Sequence, residues 1–331
     1  MSRPTALELP RKVAARGLRT ARGVFAVLDG APAPEAAGRG IALLVPGFTG
    51  SKEDFLDLLP PLTAAGFRVV AVDGRGQHES DGPRDETAYA QAELAADVLA
   101  QTAALAAQYG PGPLHVLGHS LGGQIVRAAV LAAGPEPYAS LTLMSSGPAA
   151  VAAEQQIRIQ MLIDYLPTTD METAWRTMRA LDAGNGSGGD TEYATDDAAP
   201  AWLDDFLHRR WVTTAPEQLL ATARQLMTET DRVGELSSVP LPKLVLSGET
   251  DYAWPVPLMD EMAVRLGARR VVIKGAEHSP NAERPAETAD ALIAFWTDAE
   301  VAEIAAIAED APGAETAEGI SEHGGDSLTS D

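Results

Sequence analysis

The sequence predicts an α/β protein: a mostly parallel central sheet with helices on both faces and a helical insert. Three observations carry this. Short apolar runs alternate with amphipathic helical stretches in two blocks. A G-x-S-x-G motif stands where one such run passes directly into a helix. Between the blocks, residues 148–235 contain helical patterns and no convincing strand. Alternating strand and helix implies right-handed crossovers, which put helices on both faces of a parallel sheet.

In the first block, Ile41–Val45 (IALLV) is a continuous apolar run stopped by Pro46-Gly47, as in a strand buried on both faces. From Lys52 to Gly66, Phe55, Leu58, Leu59 and Leu62 recur at helical spacing, with Gly66 as the stop. A second strand, Arg68–Val72, ends at Asp73-Gly74. The Ala-rich stretch Thr87 to Tyr109 favours helix and is closed by Gly110-Pro111-Gly112-Pro113. Leu114–Leu117 is a third strand, Leu121 to Ala133 a helix ended by Gly134-Pro135, and Leu141–Met144 a fourth strand. The alternation resumes with Lys243–Ser247, Val256–Leu266, Arg269–Ile273 and Ala286–Trp296.

The intervening segment holds helical stretches at Val151–Tyr165, Met171–Ala183 and Pro216–Asp231, with a Gly-rich loop across residues 183–190. Such an insert after the fourth strand is expected to cap the C-terminal edge of the sheet. The expected organisation is a basic N-terminal segment (1–19), an α/β core (20–147 and 236–298), the cap (148–235) and an acidic, disordered tail (299–331).

Composition narrows the function classes. The formal net charge is −22, of which the segment 298–331 supplies ten acidic residues and no Lys or Arg. A surface of that sign argues against nucleic acid, whose phosphates need Lys and Arg. The absence of cysteine removes disulfides, thiolate catalysis and Cys-ligated zinc together. No run approaches the roughly 20 apolar residues that span a bilayer. The N-terminus carries Arg3, Arg11, Lys12, Arg16, Arg19 and Arg22 but no apolar signal core, so a cytoplasmic protein is expected. No H-E-x-x-H pattern, Walker Lys-Ser/Thr pair or G-x-G-x-x-G after the first strand is present. Neither a metal nor a cofactor is therefore expected.

The chemistry points to Gly118-His119-Ser120-Leu121-Gly122. A serine at a sharp strand-to-helix turn occupies strained backbone space, so its flanking positions need small residues. The turn lifts the hydroxyl above the sheet at a helix N-terminus, where the dipole favours developing negative charge. A free hydroxyl is a poor nucleophile at neutral pH and requires a base. Six histidines are available: His78, His115, His119, His208, His278 and His323.

Further motifs stand at strand ends in order: Leu44-Val45-Pro46-Gly47-Phe48-Thr49-Gly50, Val72-Asp73-Gly74-Arg75-Gly76, Gly118–Gly123, Ser247-Gly248-Glu249-Thr250-Asp251 and Gly275-Ala276-Glu277-His278-Ser279. On these motifs the chain, from about residue 20 to 298, resembles the α/β-hydrolase superfamily and its serine esterases and lipases. The resemblance implies the α/β-hydrolase fold with Ser120 as nucleophile, His278 as base and Asp251 as the acid orienting it, with Glu249 a rival and Asp73 a turn residue. It further implies that the backbone N–H groups of Phe48 and Leu121 hold the oxyanion. Pro46 departs from the pattern, since many relatives carry His before the loop glycine. Ser120 argues against haloalkane dehalogenases and epoxide hydrolases, which use Asp at this turn.

The expected activity is hydrolysis of a small carboxylic ester by a carboxylesterase or monoacylglycerol-lipase-like enzyme. C–C hydrolysis, perhydrolysis, prolyl aminopeptidase chemistry and a non-catalytic ligand-binding role stand as alternatives on the same fold. Trp175, Trp202, Trp211, Met161, Met178 and His78 are the candidate pocket residues.

Overall fold

The computed structural model describes residues 2–36, 38–184 and 200–310. Eight strands form one sheet: β1 (Val13–Thr20), β2 (Gly23–Gly30), β3 (Ile41–Val45), β4 (Arg68–Val72), β5 (Leu114–His119), β6 (Ser140–Met144), β7 (Lys243–Gly248) and β8 (Arg269–Ile273). They lie in the order β1-β2-β4-β3-β5-β6-β7-β8. The β1/β2 and β2/β4 pairs are antiparallel, and every pair from β4 to β8 is parallel.

The continuous apolar runs are explained by burial on both faces. Along β3, Leu43 and Val45 enter one core cluster while Ala42 and Leu44 enter another. The first cluster is completed by α2 (Gln91–Tyr109), α3 (Leu121–Ala133) and α9 (Val256–Leu266). The second is completed by α1 (Leu59–Ala64) and α11 (Pro285–Asp310), through Leu59, Leu62, Leu292 and Trp296. Alternation with period two along a strand thus sorts its side chains between two helical layers.

Between β6 and β7 the chain forms α4 (Ala153–Tyr165), α5 (Met171–Gly184), α6 (Ala201–Thr213), α7 (Pro216–Thr228) and the short α8 (Val233–Ser237), with no strand among the described residues. Most of the Gly-rich loop at 183–190 lies outside them. The helix expected from Lys52 divides into a 3-10 turn, Lys52–Leu58, and α1, whose first turn contains Pro60 and Pro61. None of the described helices is long and apolar enough to cross a membrane.

Two expected boundaries are corrected. The basic segment 1–19 is not separate from the sheet, because Val13–Thr20 pairs with β2 along its whole length. Its arginines concealed the strand: Arg16 caps the edge by pairing with Asp29 at 2.8 Å, while Leu18 turns inward and is buried. The segment expected as an acidic, disordered tail from residue 299 is helical as far as Asp310, where α11 ends. Glu300 is buried, accepts the Gly40 N–H at 2.7 Å and sits 3.2 Å from His115 Nε2. An acidic run read as solvated thus contains an internal hydrogen-bond acceptor. Residues 311–331 lie outside the described residues.

Candidate active site

β5 runs into α3 through Ser120, which has φ 54° and ψ −121°. A non-glycine residue at such angles costs on the order of 1–3 kcal/mol, held here by the surrounding packing. The glycines of the motif permit that packing. A Cβ on Gly118 would stand 2.2 Å from the Gly122 carbonyl oxygen, and one on Gly122 would stand 2.4 Å from that of Val45. Both contacts are with backbone, which cannot step aside. The Ser120 N–H is tied to the Met144 carbonyl at 2.9 Å, so the turn is anchored to β6.

His278 lies in the loop after β8. Its Nδ1 stands 2.9 Å from Asp251 Oδ2 and 3.0 Å from Oδ1. Asp251, in the loop after β7, is fixed in turn by the N–H groups of Ala253 (2.8 Å) and Trp254 (3.1 Å), which donate to Oδ1. Its side chain is fully buried and that of His278 is nearly so. The carboxylate accepts the Nδ1 proton, which leaves Nε2 as the basic nitrogen. Tyr252 and Trp254 pack against the imidazole at ring-centroid distances of 4.7 and 6.2 Å. Neither aromatic is singled out by the sequence reading, although both lie within three residues of the candidate acid.

Ser120 and His278 line the same cavity of about 470 Å³. That volume lies in the range of small-molecule sites, roughly 300–1,000 Å³. The loop after β3 lines it through residues 47–50, and Gly47 is packed so closely that a Cβ there would lie 3.1 Å from Ser120 Cβ. Among the described residues, neither the Phe48 nor the Leu121 N–H meets a protein acceptor. Leu121 is the first residue of α3, where orphan N–H groups point outward.

The cavity wall differs from expectation. Trp175, Trp202, Trp211 and His78 do not line it. Trp175 and Trp211 are buried with ring centroids 6.1 Å apart, and Trp211 Nε1 donates to the Met171 carbonyl at 2.8 Å. Trp202 packs half-buried against the same core. The large rings serve the interior of the insert, where their area is buried most fully. His78 is buried beside Thr213 (Nδ1 to Oγ1, 3.0 Å) and Phe206, pinning the turn after β4 to α6. Met161 and Met178 do line the cavity, with Ile157, Ile159, Leu162 and Leu226. On α4 the apolar residues Ile157, Ile159, Met161 and Leu162 thus line the cavity together with Glu154, Gln155 and Arg158.

The remaining titratable groups have other duties. Glu249 is exposed and accepts the Gly275 N–H at 3.0 Å. His115 contacts Ser140 Oγ at 2.8 Å, and His208 pairs with Glu172 at 2.6 Å. His323 lies outside the described residues. Glu53, His78 and Glu79 place ligand atoms within 4.8 Å of one another. Lys52 Nζ already sits 2.8 Å from both glutamates and 2.9 Å from Asp73, supplying the balancing positive charge. Burial pulls that ammonium down, but Asp73 and Glu53 outweigh it and hold it above its usual range.

His119 is buried with Nε2 donating to the His278 carbonyl at 2.8 Å, while Nδ1 has no partner among the described residues. Burial, aided by the neighbouring His278, pushes it down to about 3. Burial likewise pushes His78 down to about 4. Against an unfolded value near 6.5, a lowered folded pKa gives stability that is complete above that pH and lost as pH falls towards 3–4. Unfolding free energy measured by urea should therefore drop between pH 6.5 and 4.5 by about 1.4 kcal/mol per pH unit for each histidine. In His119→Gln the slope should lessen by about one proton. An unchanged slope would show that His119 is not buried in its neutral form.

With this geometry in place, the class follows. The chain belongs to the alpha/beta hydrolase family, whose sequence profile matches residues 42–291. It is 30% identical over 215 residues to a 2-hydroxy-6-oxononadienedioate/2-hydroxy-6-oxononatrienedioate hydrolase of Cupriavidus pinatubonensis, covering 64% of this chain and 69% of the relative. It is 29% identical over 243 residues to a pimeloyl-[acyl-carrier protein] methyl ester esterase of Aeromonas hydrophila, covering 68% and 83%. The structure of an esterase from Exiguobacterium antarcticum superposes with a TM-score of 0.66 at 19% identity, over 86% of this chain and 100% of that one. That last likeness is one of fold.

Proposed function

We propose that the protein is a serine hydrolase that cleaves a small carboxylic ester through an acyl-enzyme on Ser120. One observation carries the reading: a serine on a strained strand-to-helix turn opens onto the same apolar cavity as a histidine whose Nδ1 is held by a buried carboxylate. In this reading His278 Nε2 takes the Ser120 proton as Oγ attacks the acyl carbon. The Phe48 and Leu121 N–H groups receive the oxyanion, each worth a few kcal/mol in a site of this type. His278 then returns the proton to the leaving alkoxide, and water, activated by the same imidazole, releases the acid. Asp251 fixes the tautomer and stabilises the imidazolium. The apolar residues that line the cavity from α4, Ile157, Ile159, Met161 and Leu162, favour an aliphatic acyl or alcohol group, and the insert acts as a cap. The reading includes a cytoplasmic setting and no resident cofactor or metal.

A second reading, C–C bond hydrolysis with the same three side chains, is favoured by the likeness to the Cupriavidus hydrolase. Two measurements test these readings. A fluorophosphonate probe should label the wild type and leave Ser120→Ala unlabelled; a folded wild type that does not label rejects serine chemistry. On a panel of p-nitrophenyl esters and a vinylogous diketone, ester turnover is expected. Turnover of the diketone alone would replace the ester reading with the second.

A further inference from the structure

We infer that Gln77 is a positioning residue for the oxyanion hole, one that sets the direction of the Phe48 N–H from the far side of its own peptide unit. The inference rests on the acyl-transfer reading above.

Gln77 lies in the turn after β4 and is buried. Its Nε2 donates to the Gly47 carbonyl at 2.8 Å, with the Phe48 carbonyl further off at 3.4 Å. Its Oε1 accepts the Gly74 N–H at 3.0 Å. The amide orientation follows from its partners, since a backbone N–H can only donate and a carbonyl can only accept.

The Gly47 carbonyl and the Phe48 N–H belong to one planar unit, and no cis peptide occurs among the described residues. In a trans peptide these two groups point in opposite directions. Holding the carbonyl towards Gln77 therefore holds the N–H away from it. The same loop packs on the other side against Ser120, through Gly47. A hydrogen bond to the carbonyl also polarises the amide, which strengthens its N–H as a donor in a low-dielectric site.

Gln77 is itself held rigidly. Its N–H donates to the Gly74 carbonyl at 3.0 Å and its carbonyl accepts the Ser80 N–H at 2.8 Å. The insert closes the frame: the Ala215 N–H donates to the Gly76 carbonyl at 2.8 Å and the His78 N–H to Thr214 Oγ1 at 3.2 Å. Within the loop, the Gly50 N–H, at 3.2 Å, offers the Gly47 carbonyl a longer, second bond.

The test compares kcat and KM of wild type, Gln77→Leu and Gln77→Glu on one p-nitrophenyl ester. Losing a whole oxyanion donor costs about 10²–10³ in kcat; a misdirected donor is expected to cost about 10- to 100-fold with KM within about twofold. Gln77→Glu keeps the acceptor for Gly74 and the shape of the side chain, so it covers the case in which the leucine variant fails to fold. Ionised, it presents a charge to the Gly47 carbonyl; protonated, it regains a donor. The ratio of its kcat to that of wild type should therefore rise as pH falls from 8 to 5.5, while the ratio for Gln77→Leu stays flat. Dividing by wild type removes the pH dependence that both enzymes share. Wild-type kcat in Gln77→Leu, or a pH-independent ratio in Gln77→Glu, overturns the inference. If wild type neither hydrolyses the ester nor labels at Ser120, it is the acyl-transfer reading that has failed.

Discussion

Replacing Asp251 with asparagine is expected to lower kcat for ester hydrolysis by about 10⁴-fold while the protein stays folded. The reason is the direction of one proton. Oδ1 of Asp251 accepts the N–H groups of Ala253 and Trp254, and an asparagine must keep its oxygen on that side. Its NH₂ then faces His278 Nδ1, where a carboxylate oxygen stood 2.9 Å away. An NH₂ can only donate, so Nδ1 accepts from it and the imidazole proton moves to Nε2; Oδ1, 3.0 Å from Nδ1, is already engaged by two backbone N–H groups and competes weakly for that proton. A protonated Nε2 cannot take the proton of Ser120. Because the two backbone contacts survive, thermal unfolding should shift by only a few degrees and the substrate KM by little. A loss below about tenfold would mean that Asp251 does not set the tautomer, and Glu249 would not rescue the idea, since it is exposed and bonded to Gly275.

Arg210→Met should cost about 3–5 kcal/mol of stability, because it strands a buried carboxylate. Arg210 on α6 and Asp54 in the 3-10 turn Lys52–Leu58 are each about 1% exposed and meet at 2.6 Å. Arg210 Nη2 also reaches the Ser2 carbonyl at 3.3 Å, so this one guanidinium joins insert, core and N-terminal segment. Burial already pushes the Asp54 carboxyl up, against the opposing pull of Arg210. Removing the arginine raises it further. A folded pKa raised above the unfolded one gives stability that is present at low pH and lost as pH rises through the folded value. The difference between variant and wild type in urea unfolding should thus be larger at pH 7.5 than at pH 5. Adding Asp54→Asn should recover part of the loss at pH 7.5. Equal losses at both pH values would show that the stranded charge is not the cause.

Local chemistry made much of the fold legible. Runs such as Ile41–Val45 cannot be half-exposed and still stable, so they announced a sheet covered on both faces. Gly118 and Gly122 announced a tight turn because a Cβ at either would strike backbone. Elements were missed where charge concealed pattern. β1 holds Arg16 and Arg19 on an edge strand, where exposed charge is normal, and its register comes from β2 rather than from its own hydrophobicity. Glu300 in α11 looked solvated until its partners, Gly40 and His115, were brought beside it by the sheet.

The pocket shows the same division. Trp175 and Trp211 are large enough to be drawn either to the interior of the insert or to the cavity wall, and composition does not choose. Packing chose the interior, and α4 turned Ile159, Met161 and Leu162 towards the cavity instead.

By itself the sequence determined the alternating architecture, the elbow that strains Ser120, and the order of loops carrying Asp251 and His278, since each depends on residues a few positions apart. Only the tertiary structure decided which carboxylate meets His278, which side chains line the cavity, and which side-chain amide bonds the Gly47 carbonyl. Those are contacts between segments tens to hundreds of residues apart, and their distances are set by how the layers pack rather than by any local preference.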